Sequence, residues 1–144
     1  MKKYVLSILL LFAASLIMKG QLTDPFVAKC IKNAGENVRH LKDFRIQLGS
    51  DSPDSDLRYR VKITLWKNRK YRFTMCTFDN SKGELIISVK DNENKTILSS
   101  FDKNIGEASA YIDFNCNKSG IYQLNYDFLN RQSGSGVGVV SMIK

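Results

Sequence analysis

Only one histidine and three widely separated cysteines occur in this chain of 144 residues. The ligand clusters that hold zinc are therefore missing from the sequence, and nothing in it points to a Ser-His-acid or Cys-His arrangement. Tryptophan is equally scarce, with Trp66 standing alone. No apolar run reaches the roughly twenty residues that a helix needs to cross a bilayer core of about 30 Å, so no stable membrane span is expected. A phosphate-cradling loop is lacking too. Its one candidate, Ser133-Gly134-Ser135-Gly136, is followed by neither a Lys-Ser/Thr pair nor a helix.

The short apolar run that is present, Tyr4 to Met18, follows Lys2-Lys3 and ends at Lys19-Gly20-Gln21. That order reads as a secretory signal peptide over residues 1–20, cut after Gly20, with Ala13-Ala14-Ser15 as a competing small-residue cluster. The expected location is outside the cytosol: periplasmic, cell-surface or extracellular. Loss of the segment removes Lys2, Lys3 and Lys19 and no acid, which lowers the formal charge by three from the +8 of the whole chain. Residues 21–144 have the size of one domain. A moderately basic exported domain can attract anionic polysaccharide or an acidic protein, whereas nucleic acid is not an expected partner without a recognisable motif.

Thr23-Asp24-Pro25 has the chemistry of a helix start, with Asp24 as cap and Pro25 at the first helical position. Val27, Ile31, Ala34, Val38 and Leu41 then recur at three- and four-residue spacing, which predicts one amphipathic helix within residues 24–42. Beyond Asp43 the period changes to two. Tyr59, Val61, Ile63 and Leu65 alternate with Arg58, Arg60, Lys62 and Thr64, and after a turn at Asn68-Arg69 the apolar set continues as Tyr71, Phe73 and Met75. This pair is expected to form a hairpin. Leu85 to Val89, Thr96 to Phe101, Ala108 to Cys116, Gly120 to Leu129 and Val137 to Ile143 read as further strands, with Gly134 and Gly136 loosening the last connection. No helical segment separates them. The expected fold is mainly β: an antiparallel sandwich of seven or eight strands over residues 43–144, preceded by one helix.

Three segments sharpen that expectation. Lys70-Tyr71-Arg72-Phe73, Gly83 to Asp91 and Ser119-Gly120-Ile121-Tyr122-Gln123-Leu124 resemble the consecutive strands of bacterial pre-peptidase C-terminal domains, over about half of the chain. The resemblance implies a secreted bacterial jelly-roll-like sandwich involved in surface or substrate binding rather than catalysis.

No enzymatic activity is expected from the residues themselves. His40 falls near the end of the predicted helix, beside Arg39, with no nucleophile placed by sequence. The carboxylates of Asp79, Glu84, Asp91, Glu93 and Asp113 lie mostly beside turn signals. No cofactor is expected; Ca2+ is the one cation that the oxygen-rich loops Asp79-Asn80 and Asp91-Asn92-Glu93-Asn94 suit, and turn formation explains the same residues. Cys30, Cys76 and Cys116 are odd in number, and the preferred bridge is Cys76 to Cys116 across the sandwich, with a Cys30 bridge or an all-thiol core as alternatives. Candidate binding residues are the basic cluster Arg58, Arg60, Lys62, Arg69, Lys70 and Arg72, joined by Lys67, and the outward Trp66. The function that follows is a non-catalytic module for an envelope or surface protein; a carbohydrate-binding module ranks second and a small exported hydrolase last.

Overall fold

The computed structural model describes residues 24–49 and 58–144, so the expected signal segment lies outside the described residues. The helix starts where the capping residues place it. Asp24 accepts a hydrogen bond from the Phe26 N–H at 2.9 Å, Pro25 occupies the first turn, and helix α1 runs Pro25–Asn33. It ends well short of Leu41. Ala34 caps it, and Gly35 takes a left-handed conformation (φ 101°) that a glycine adopts without strain. The spacing of Val38 and Leu41 from the helical apolar residues is coincidental, because both belong to strand β1, Val38–Leu48. The expected helix over 24–42 is thus a nine-residue helix followed by a strand.

Nine more strands follow among the described residues: β2 Tyr59–Leu65, β3 Lys70–Thr77, β4 Leu85–Lys90, β5 Thr96–Ser99, β6 Phe101–Asp102, β7 Glu107–Ala108, β8 Tyr111–Asn115, β9 Gly120–Phe128 and β10 Gly134–Ile143. Eight form two antiparallel four-stranded sheets, ordered β1-β10-β3-β8 and β2-β9-β4-β5, and β6 pairs with β7 apart from them. The pairing is nested, first strand with last: β1 with β10, β2 with β9, β3 with β8 and β4 with β5. The expected β2–β3 hairpin is overturned by this order. The turn through Asn68 (φ 65°) carries the chain from one sheet to the other, so the two apolar faces meet across the core instead of side by side.

That core joins Ile46, Tyr71, Phe73, Met75 and Val140 of the first sheet to Ile63, Leu65, Leu85, Ile87, Leu124, Tyr126 and Phe128 of the second. Its closest fit is between β9 and β10. Gly134 and Gly138 lie two residues either side of Gly136, and all three belong to the strand rather than to the preceding connection. A methyl group on Gly138 would lie 2.5 Å from the Tyr126 ring, and one on Gly134 would lie 2.4 Å from the Phe128 ring. The glycine half of the inner face of β10 is the space into which those rings pack.

The alternate residues of β10 face outward, where Val137 and Val139 pack beneath Val27 and Cys30 of α1. Cys76 has the opposite parity to the core residues Tyr71, Phe73 and Met75, so it also faces the helix and bridges to Cys30. Cys116 is the free, buried cysteine, packed within the main core beside the Tyr122 hydroxyl. The expected Cys76–Cys116 bridge fails for a reason of geometry: the two side chains lie on opposite sides of the first sheet.

Two outcomes follow. Alkylation of the unfolded, unreduced protein should modify one thiol, and alkylation after reduction all three cysteines; intact mass reads both. Gly138→Ala should lower stability by about 1–3 kcal/mol through displacement of Tyr126, measured by urea unfolding.

Candidate functional site

Because β2 and β3 lie in different sheets, the expected basic cluster is divided between opposite faces of the sandwich. Arg58 is not a surface residue. Its side chain is 2% exposed and pairs with Asp127, itself 5% exposed. Nε donates to Asp127 Oδ1 at 2.9 Å, while the terminal nitrogens donate to the carbonyls of Gly49 and Gln132. A guanidinium so fully engaged pins the chain leading into β2 to the end of β9, and removing one partner would strand the other charge. Arg72 has a comparable structural task on the opposite face. It grips both oxygens of Asp113 (2.7 and 2.9 Å), donates to the Ala34 carbonyl at the end of α1 (3.0 Å) and lies 4.4 Å from the centre of the Tyr111 ring. Arg58 and Arg72 are therefore withdrawn as ligand-binding residues.

What the structure does bring together lies at one end of the sandwich. Trp66 is 62% exposed and borders an open groove of about 760 Å³. Leu41 and Lys42 contribute from β1, Ile63 and Thr64 from β2, and Met142 from β10. Lys67, Arg69, Tyr71 and Ser119 complete the lining. The turn that presents Trp66 is fixed from below. The Trp66 N–H donates to the Tyr71 hydroxyl at 2.9 Å, the Lys67 N–H donates to Ser119 Oγ at 2.7 Å, and Asn68 and Arg69 exchange backbone hydrogen bonds with Cys116. The floor, Ile63, Tyr71 and Met142, is apolar; the cations are Lys42, Lys67 and Arg69; among the described residues lining it, none is acidic. Trp66 and Arg69 were legible in the sequence. Leu41, Lys42 and Met142 were not, since only the sheet order sets β1 and β10 beside the turn after β2. Lys62 is exposed on the outer face of β2, Lys70 is exposed at the start of β3, and Arg60 lies on the β2 face opposite the core.

Other candidates resolve into structural roles. His40 stands in β1, not at a helix end, and its Nε2 lies 3.0 Å from Asp43 Oδ2. A register shift between His40 and Lys42 sets the two on one side of the strand. Ser141 is opposite His40 in the neighbouring strand, but it is fully buried and its hydroxyl has no hydrogen-bond partner, so the trio offers no accessible nucleophile. Asp91 Oδ1 accepts from the backbone N–H groups of Glu93 (3.0 Å) and Lys95 (2.9 Å), which is turn formation. Among the described residues no three His, Cys, Asp or Glu side chains converge as a metal site. Tyr122 donates to the Lys118 carbonyl at 2.6 Å, and burial pushes its phenol up to about 12. A second, smaller concavity of about 410 Å³ on the outer face of the β2-β9-β4-β5 sheet is lined by Ser88, Lys90, Ser99 and Lys103 among others. No residue pattern marks it in advance.

The chain matches no protein-family model, and no curated protein matches it at a significant level.

The Arg72 hydrogen bonds hold the Asp113 carboxyl below the ordinary carboxylate value of about 4, outweighing desolvation, which acts the other way. A carboxyl depressed in the folded state contributes stability that is complete above the unfolded value and is lost as pH falls through the folded one. Urea midpoints should therefore drop as pH is lowered below about 4, and Arg72→Met should flatten that dependence. An unchanged slope in the variant would contradict the assignment.

Proposed function

We propose that this chain is an exported, non-catalytic β-sandwich module that binds a cell-envelope component, a surface protein before a polysaccharide, through the groove beside Trp66. The observation that carries this reading is the groove itself: an exposed indole on a braced turn, an apolar floor and three cations with no acid among the described lining residues. Such a surface recognises and retains; it has no group positioned to break a bond. The nested strand pairing supports taking the sandwich as jelly-roll-like, in keeping with kinship to pre-peptidase C-terminal domains. Carbohydrate binding is the second reading, favoured by the single exposed indole. A bare aromatic face with cations nearby suits an acidic sugar more than a neutral one.

A photo-crosslinking amino acid in place of Trp66, introduced in the source cells, tests the proposal. It should yield one discrete adduct in the envelope fraction. The same group in place of Ile105, an exposed residue away from the groove, should yield none. Equal labelling from both positions, or no adduct from position 66, would sink the reading.

A further inference from the structure

Resting on that reading, we infer that the occupant of the groove is an extended, acidic segment of a partner protein that adds to the outer edge of β2. Four observations lead there. First, β2 is an end strand of its sheet and, among the described residues, pairs only with β9, which leaves its outer backbone edge as a template there. Its seven residues hold an uninterrupted register with β9, whereas β1, an end strand of the other sheet, is broken by the shift between His40 and Lys42. Of the two edges beside the groove, β2 is the regular one.

Second, strand parity dictates what such a segment must carry. Residues set beside Val61 and Ile63 would face the seam between the sheets, where Ile63, Tyr71 and Met142 form an apolar floor. Their neighbours would face outward beside Lys62. Cross-strand pairing of opposite charges is favourable and of like charges unfavourable, so the outward positions call for Asp or Glu and the inward ones for apolar side chains. Third, the charges around the groove agree. Lys42, Lys67 and Arg69 are cationic, with no carboxylate among the described lining residues. Fourth, the polar lining is poor in the groups that grip sugar hydroxyls. No Asp, Glu, Asn or Gln lines the groove among the described residues, and beyond the cations, Tyr71 and the Trp66 indole N–H the side-chain polar groups are the hydroxyls of Thr64 and Ser119. The apolar floor is also recessed, with Tyr71 2% and Ile63 7% exposed, which suits inserted side chains more than a flat bilayer.

The segment thus alternates acidic and apolar residues, binds as a strand along β2 and packs its end against Trp66. Labelled seven-residue peptides, matching the length of β2, test this by fluorescence anisotropy. One set alternates Glu with Val, Leu or Phe, a second replaces Glu by Lys, and a third carries N-methyl groups on the amides that would face β2. Sulfated dextran and phosphatidylglycerol vesicles are run in parallel. Members of the acidic set should bind at least about tenfold more tightly than their basic counterparts, and N-methylation should abolish binding. Trp66→Ala and Lys62→Glu should each weaken binding by about tenfold or more while leaving the thermal midpoint unchanged. The inference is overturned if no acidic peptide outbinds its basic counterpart, if N-methylation has no effect, or if only the dextran or the vesicles bind in a Trp66-dependent way. A Trp66 crosslink to an envelope component without peptide binding would leave the broader reading standing and remove this one.

Discussion

The seating of two aromatic rings against the glycines of one strand is the contact on which this fold depends. β10 carries glycine at three alternate positions, and the Tyr126 and Phe128 rings of β9 occupy the room so made. The opposite face of the same strand is lined by Val137 and Val139 and receives the helix. One strand therefore joins the main core to the smaller outer one. The distance between the sheets, the height of α1 above them and the position of the Cys30–Cys76 bridge all follow from its two faces. The burial also carries a cost. The Tyr126 hydroxyl is enclosed without a hydrogen-bond partner, and desolvation drives its ionisation far upward.

Parity also explains what could be read in advance. The inward set of β2 and β3 was legible as two alternating runs, and so was the outward Trp66. The same rule, applied to Cys76, places it on the side opposite Met75 and thus away from the core that holds Cys116. The correct bridge was within reach of the alternation itself. What parity does not supply is the sheet to which a strand belongs. A short turn between two alternating strands usually signals a hairpin, but here Asn68 delivers the chain to the opposite sheet, because Tyr71 and Ser119 hold the turn backbone across the end of the core. The basic residues fell on opposite faces for that one reason.

β1 escaped notice for a different cause. Much of its length is charged or polar, and only Phe44, Ile46 and Leu48 alternate as inward residues. Charge along an end strand guards it against pairing, and in β1 it confines the apolar alternation to the second half of the strand. With β1 missing, Leu41 and Lys42 had no place beside Trp66, and the groove could be seen only in part. Arg58 and Arg72 were misjudged because sequence records the charge but not the carboxylate that meets it. Asp127 and Asp113 are 69 and 41 residues away along the chain.

The nested pairing has a consequence for the order of assembly. β1 is the first of the described strands to be synthesised and its partner there, β10, is the last, so the eight strands between them must be made before that ladder can close. Contacts this distant in sequence slow folding. Throughout that wait β1 exists as an unpaired segment. Its run of Arg39, His40, Lys42, Asp43 and Arg45, which looks like mere surface in the finished molecule, is the kind of charge that opposes pairing with a wrong neighbour during that interval.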